Sequence, residues 1–213
     1  FGREQVPGRG HAPWVLRGNL DDRPRILMFA LAPDTWAAYD IQTQSLYQVW
    51  RGTVAFEGSA FNHKHGPQPY SQGAWYLRDT RAADWFVKVD GEELPARGQY
   101  LGPEYGKARG TAAMRFALVA GDYRLELTEQ PDIGEREGAR HFSRRFHRLD
   151  TVTIARAGFR TADGERHLAE GTVLTELGET TAITNPTAAA VESVGSVEMI
   201  TRGETVIAGS DCL

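Results

Sequence analysis

Hydrophobic residues along this chain either alternate with polar residues or cluster in short apolar runs, and a sustained 3.6-residue period is nearly absent. Both patterns are typical of β-strands rather than of helices. The pattern therefore predicts an all-β protein, with strands at Arg25–Leu31, Thr35–Ile41, Ser45–Trp50, Gly73–Arg78, Trp85–Val89, Ala113–Val119, Tyr123–Glu129, His141–Leu149, Thr151–Ala155, Gly171–Leu177, Val197–Ile200 and Thr205–Ala208.

Glycine and aspartate residues lie between several of these strands. The pairs Asp90-Gly91, Gly121-Asp122 and Asp163-Gly164 contain residues that adopt the positive φ angles of tight turns. Each pair is expected to close a hairpin, so that neighbouring strands run antiparallel. Such strands pack most economically as two sheets, and we predict an antiparallel β-sandwich with long surface loops.

Segments rich in glycine and proline interrupt the strand pattern at two places. Residues 1–24 are expected to form an extended N-terminal arm, followed by a β-sandwich domain over residues 25–208. Residues 98–110 are expected to form a long surface loop. Residues 185–191 form either a short helix or a loop between strands.

Composition and charge exclude several classes of function. A chain of 213 residues with 41% hydrophobic and 24% charged residues is long enough to bury a core. Its formal net charge of −4 gives no overall positive field for binding nucleic acid. No apolar run approaches the roughly 18 residues of a membrane-spanning helix, so we do not expect an integral membrane protein. The chain begins with Phe1 rather than Met, as it would after removal of a secretory signal.

Aromatic residues recur in and around one predicted hairpin. Trp36, Tyr39, Tyr47 and Trp50 flank its turn, and Trp75 lies on the next predicted strand. Exposed aromatic rings bind sugars by stacking, so these residues are candidates for a carbohydrate-binding surface. Tryptophan is also commonly buried, and aromatic pairs stabilise sheets, so packing in the core is the alternative.

Two histidines have the spacing of a weak metal site. His63 and His65 are two residues apart, which on a strand places both imidazoles on the same face. No further ligand is evident nearby in sequence except Glu57 and His11. The alternative is a loop whose polar side chains hold backbone groups by hydrogen bonds.

A basic run at residues 136–148 is a candidate docking surface for an acidic partner. Its candidate residues are Arg140, Arg144, Arg145 and Arg148. The guanidinium group suits this role because its donors form a planar fork. Alternation along a strand instead favours a solvated face, with Phe142 and Phe146 directed inward.

Sequence signatures of catalysis are absent. The chain has no G-x-S-x-G elbow, no phosphate-binding glycine loop and no H-E-x-x-H motif. Nothing distinguishes its carboxylate pairs, such as Glu126 with Glu129, from ordinary surface carboxylates. The sequence therefore favours a non-catalytic protein, and a hydrolase or lyase acting on glycans remains as an alternative.

A spaced pattern over about residues 11–78 resembles a known module. The pattern reads P-W-x-x-R, R-P-R, W-x-A-Y-D, a tyrosine with W-x-G, and H-G-P-Q-P. It is similar to the β-rich module found ahead of c-type cytochrome domains in secreted bacterial proteins, often together with sorbosone-dehydrogenase-like propellers. The matching residues are Pro13, Trp14, Arg17, Arg23, Pro24, Arg25, Trp36, Ala38, Tyr39, Asp40, Tyr47, Trp50, Gly52 and His65–Pro69.

This resemblance gives the single cysteine a meaning. In such proteins the module is followed by a haem-attachment motif, G-S-D-C-x-x-C-H, and residues 209–212 match its beginning. Cys212 would be the first of the two cysteines that bond haem c, and residues 209–213 would begin a linker or a truncated cytochrome domain. The alternative is an ordinary thiol. No cofactor is expected within the 213 residues themselves.

The resemblance also implies a location and a role. We expect a periplasmic or extracellular module that binds or scaffolds within a c-type cytochrome-containing redox protein or electron-transfer complex. Its partners would be the cytochrome domain or subunits of the complex. The alternative role is a carbohydrate-binding module that serves an attached sugar dehydrogenase, with a glycan as the partner.

Overall fold

The computed structural model describes residues 4–5, 14–58, 66–106, 111–151, 154–161, 164, 166–178, 180–183 and 205–207. Within these ranges the chain forms β-strands and turns, and no helix there is long and apolar enough to cross a membrane. The strands are β1 (Glu4–Gln5), β2 (Trp14–Leu20), β3 (Arg23–Ala32), β4 (Thr35–Asp40), β5 (Ser45–Phe56), β6 (Tyr70–Arg78), β7 (Asp84–Val89), β8 (Glu92–Pro95), β9 (Arg97–Tyr105), β10 (Ala112–Ala120), β11 (Tyr123–Arg136), β12 (Ala139–Arg148), β13 (Ala155–Arg160), β14 (Arg166–Leu168), β15 (Gly171–Glu176), β16 (Thr181–Ala182) and β17 (Thr205–Ile207).

The strands form three antiparallel sheets. A seven-stranded sheet has the order β16-β6-β5-β4-β3-β2, with β1 paired to β5. A six-stranded sheet has the order β17-β15-β12-β11-β10-β9, and a four-stranded sheet has the order β14-β13-β7-β8. The expected all-β antiparallel sandwich is therefore confirmed. The turns expected at Asp90-Gly91 and Gly121-Asp122 close the β7–β8 and β10–β11 hairpins.

The main core lies where the three sheets meet. Phe29 of the seven-stranded sheet, Phe116 of the six-stranded sheet and Trp85 of the four-stranded sheet belong to one buried cluster. The Trp85 ring lies 5.2 Å from that of Phe116 and 5.1 Å from that of Phe159, measured between ring centroids. Aromatic contacts of this kind bury large apolar areas and hold the sheets together.

The seven-stranded sheet is buried on both faces. Along β3, Leu27 and Phe29 belong to the main core, whereas Ile26 and Met28 belong to a second cluster made of residues from this sheet. Successive side chains of a strand point to opposite faces. Burial of both faces explains why the sequence here is an uninterrupted apolar run instead of an alternation.

Strands β5 and β6 bend sharply at a pair of opposed glycines. The Asp21 carboxylate accepts hydrogen bonds from both Gln48 and Ser71, and Ser71 pairs with Val54 on β5. Gln48 and Val54 are six residues apart, which corresponds to about 20 Å along a straight strand. The strands must therefore bend between them, and the paired residues Gly52 and Gly73 lie in that interval with φ angles of 142° and 121°.

The structure differs from the sequence-based expectations in three segments. Residues 14–24 of the expected arm belong to β2 and the start of β3, because they pair with the apolar strand that follows. Much of the expected loop at residues 98–110 is β9, whose Tyr100 packs against the core from an edge strand. The strand expected at Thr151–Ala155 instead runs over Ala155–Arg160. Residues 185–191 and the strand expected at Val197–Ile200 lie outside the described residues.

The bend predicts that an alanine at Gly52 is strongly destabilising. A Cβ atom there would lie 1.9 Å from the Gln72 carbonyl oxygen, in addition to the strain of a positive φ. We expect Gly52→Ala to lower the free energy of unfolding by about 3 to 5 kcal/mol, measured by urea titration. Gly102→Ala is the matched control, because Gly102 has a φ of 125° and open space around it. The control should lose about 1 to 2 kcal/mol, and equal losses would contradict the proposed clash.

Candidate functional site

The aromatic candidates for sugar binding are all buried. Their exposed fractions are 4% for Trp36, 0% for Tyr39, 1% for Tyr47, 0% for Trp50 and 8% for Trp75. Stacking on a sugar requires an open ring face, and these rings present none. The structure thus places these five residues in the core, as the packing alternative expected, and they form no exposed platform.

Three of these residues form a row across the seven-stranded sheet. Trp36 pairs with Trp50, and Trp50 pairs with Trp75. The rings of Trp36 and Trp50 stack with centroids 5.8 Å apart, and the Trp50 indole donates a hydrogen bond to the Thr53 carbonyl oxygen at 3.1 Å. The bend in β5 brings the Thr53 carbonyl group back over the Trp50 ring of the same strand. Tyr39 lies in the main core, on the other face of the sheet.

The carboxylate of Asp21 is the centre of a polar cluster beside this row. It accepts a hydrogen bond from the Ser71 backbone N–H at 2.8 Å and one from the Ser71 hydroxyl at 2.9 Å. Gln48 donates to it at 3.1 Å and the Tyr47 hydroxyl donates at 3.3 Å. Asp21 lies in the β2–β3 turn, so its side chain connects that turn to both strands of the bent hairpin.

Tyr47 lies between one carboxylate and two guanidinium groups in this cluster. Its hydroxyl donates to Asp21 and accepts a hydrogen bond from Arg78 at 2.9 Å, while the Arg23 guanidinium lies 4.8 Å from its ring centroid. Burial, assisted by the negative charge of Asp21, raises the pKa of Tyr47 to about 12. The hydroxyl is therefore protonated at neutral pH and serves as a hydrogen-bond donor rather than as a base.

A second polar cluster lies in the main core between the sheets. Arg144 donates to both carboxylate oxygens of Glu129, at 2.6 Å and 3.2 Å, and these side chains are 9% and 0% exposed. Burial opposes the charge on Arg144, but Glu129 raises the pKa of Arg144 above its ordinary value. Burial is the main cause that raises the pKa of Tyr39, and the negative charge of Glu129 raises it further. The Phe159 ring lies 4.5 Å from the guanidinium.

The four arginines of the basic run do not form one surface. Arg140 donates to the Tyr76 hydroxyl at 3.0 Å, Arg144 is buried with Glu129, and Arg148 donates to the Ala155 carbonyl oxygen at 2.5 Å. Only Arg145 of the four is exposed. Alternation along β12 separates them, since Arg144 and Arg145 point to opposite faces. Arg140 and Arg148 are partly buried, so Arg145 is the most exposed of the four.

The remaining candidates fall into two groups. His63, His65 and Cys212 lie outside the described residues. Within the described ranges, no group of three or more His, Cys, Asp or Glu residues is placed to hold a metal ion. Glu129 is the one carboxylate among the buried residues that the structure describes, and its oxygens are bound to Arg144.

Sequence reasoning missed the residues around Asp21. Gln48 interrupts the apolar strand β5 and is fully buried, and Ser71 is also buried. A polar residue inside an apolar strand indicates a buried hydrogen-bond partner, and this signal was present at Gln48. Its partner could not be identified from the sequence, because Asp21 is 27 residues away and reaches Gln48 only when the sheet bends.

Comparison with known proteins identified no relative of this chain. No family model, no curated protein and no solved structure matches the chain.

The buried ion pair predicts unequal effects for two neighbouring arginines. Arg144→Met leaves the Glu129 carboxylate buried and unpaired, so the free energy of unfolding should fall by about 3 to 5 kcal/mol in urea titration. Replacing both partners, with Arg144→Met and Glu129→Leu, should recover most of that loss. Arg145→Met, at the adjacent exposed position, should change it by less than about 0.5 kcal/mol. Equal losses at the two arginines would show that Arg144 is not paired in the core.

The raised pKa of Tyr47 predicts a loss of stability at alkaline pH. The folded protein retains this proton up to about pH 12, whereas the ordinary pKa is 10.0, so the unfolded chain ionises first. The contribution of this proton to the free energy of unfolding is intact below about pH 10 and is lost as the pH rises to about 12. The loss amounts to about 2 to 3 kcal/mol. Tyr47→Phe should flatten this part of the unfolding profile. Tyr105→Phe, at an exposed tyrosine, should leave the profile unchanged.

Proposed function

We propose that this chain is a non-catalytic binding or scaffold module of a periplasmic or extracellular redox protein that carries a c-type cytochrome domain. The observation that carries the proposal is the match of residues 209–212 to the start of a haem-attachment motif, combined with the pattern over residues 11–78. Both features resemble those of modules that precede cytochrome domains.

The placement of the pattern residues supports a structural role for the pattern. Trp36, Tyr39 and Trp50 are buried, and Gly52 lies at the bend of the hairpin. Residues of this kind maintain a fold, because a large buried ring or a glycine with positive φ tolerates little replacement. A sequence pattern that specifies packing is consistent with a module that presents surfaces and carries out no reaction.

The chemistry of the motif supports the redox context. Attachment of haem c requires two cysteine sulfurs that bond the porphyrin and an adjacent histidine that ligates the iron. Cys212 would supply the first thioether, and residues beyond 213 would supply the second cysteine and the histidine. The β module would then lie immediately before the haem domain in one polypeptide.

The test is covalent haem in the natural full-length protein. We expect it to retain haem after denaturation, with the absorption bands of a c-type cytochrome. Cys212→Ala should leave haem attached through a single thioether and so lose the absorption band of a haem with two thioethers, measured on the pyridine adduct. Asp211→Asn, at the neighbouring position, is the matched control and should retain it. Absence of covalent haem from the unaltered protein, or an unchanged two-thioether band in Cys212→Ala, would overturn the proposal.

A further inference from the structure

A small cavity lies at one end of the seven-stranded sheet, beside Tyr47. Its volume is about 110 Å³, and three segments enclose it: the start of β3, the β4–β5 turn with the start of β5, and the loop after β6. Four ionic side chains line it, together with hydroxyl groups. The residues that matter here are Arg23, Asp40, Thr43, Ser45, Asp79 and Arg81.

Three of the ionic side chains are held in place by the backbone around them, and Arg81 Nε lies 3.8 Å from the Asp79 carboxylate. Arg23 donates to the Thr80 carbonyl oxygen at 2.8 Å and lies over the Tyr47 ring. One oxygen of Asp40 accepts from the Gln42 backbone N–H at 2.8 Å. In the same way, Asp79 accepts from the Arg81 backbone N–H at 2.9 Å. Each of these side chains uses part of its hydrogen-bonding capacity for positioning and retains the rest.

Hydroxyl groups complete the lining and connect two of the walls. The Ser45 hydroxyl accepts from the Ala83 backbone N–H at 2.7 Å and donates to the Thr43 carbonyl oxygen at 3.3 Å. The Thr43 hydroxyl is buried and has no hydrogen-bond partner among the described residues.

The balance of charge in the cavity selects the chemistry of a ligand. Two guanidinium groups and two carboxylates give a lining with no net formal charge. A free anion would meet Asp40 and Asp79, and a free cation would meet Arg23 and Arg81. A neutral hydroxyl group both donates and accepts, so adjacent hydroxyls can bind a carboxylate and a guanidinium at once. Pockets that enclose drug-sized ligands exceed about 300 Å³, so only one end of a larger ligand fits here.

We propose that this cavity binds the hydroxyl-bearing end of a neutral polyol, such as a terminal sugar residue. Asp40 and Asp79 accept from the ligand hydroxyls, and Arg23 and Arg81 donate to them. The site borders the buried aromatic residue Tyr47 and does not depend on the proposed haem domain.

The test measures ligand binding to the full chain, monitored by two-dimensional amide NMR. The probes are glucose, galactose, mannose and sorbitol, with acetate, phosphate and glycine as charged comparators. We expect saturable millimolar binding of at least one neutral probe, with shifts at the Gln42, Thr43 and Arg81 amides. Binding confined to the charged comparators, or no saturable binding of any probe at tens of millimolar, would overturn the proposal.

Two variants locate the site, and each has a matched control. Asp40→Asn removes a charge while keeping an acceptor for the Gln42 N–H, and Arg81→Met alters an exposed side chain, so both should fold. Each should weaken binding about tenfold, as expected for loss of one charge-assisted hydrogen bond. Asp122→Asn and Arg156→Met, at exposed positions elsewhere, should bind like the unaltered chain. Unchanged binding in both site variants would show that the ligand binds elsewhere.

Discussion

The carboxylate of Asp21 joins parts of the seven-stranded sheet that would otherwise lie about 20 Å apart. It accepts hydrogen bonds from Gln48 near one end of the bent hairpin and from Ser71 near the other. Two opposed glycines make this geometry possible, because a Cβ atom at either position would overlap a carbonyl oxygen of the facing strand. Once the hairpin is bent, the Thr53 carbonyl reaches the Trp50 indole and the apolar face of the sheet is enclosed.

Each of the two apolar layers in the described part of the chain contains a polar cluster built around a carboxylate. Asp21 lies beside the layer that contains the tryptophan row. The ion pair of Glu129 with Arg144 lies in the layer between the sheets. A shift of one residue in strand register would turn Glu129 toward the opposite face and leave Arg144 buried alone. Polar groups in these layers therefore penalise alternative pairings that apolar side chains would tolerate.

These clusters are poor candidates for chemistry, because their groups already bind one another. Asp21 accepts from three side chains, Glu129 is held by a bidentate arginine, and Tyr47 remains protonated at neutral pH. The polar groups around Asp40 and Asp79 differ from these clusters, because they line an open cavity. They also keep part of their hydrogen-bonding capacity for a ligand. The described residues thus include polar groups that hold the structure together and polar groups that remain available to a ligand.

The sequence by itself determined the fold class and most of the strands. Side-chain alternation is a local property, and turn residues such as Asp90-Gly91 act within a few positions, so β3, β7 and β10 were found close to their observed bounds. The glycine-rich strand β9 was missed, because its strand conformation comes from pairing with β10 rather than from its own propensity. Whether Trp36 and Trp50 faced solvent or core, and which partner Gln48 would find, was decided only when the hairpin bent. Burial and long-range hydrogen bonds depend on residues distant in sequence, and only the tertiary structure brings those residues together.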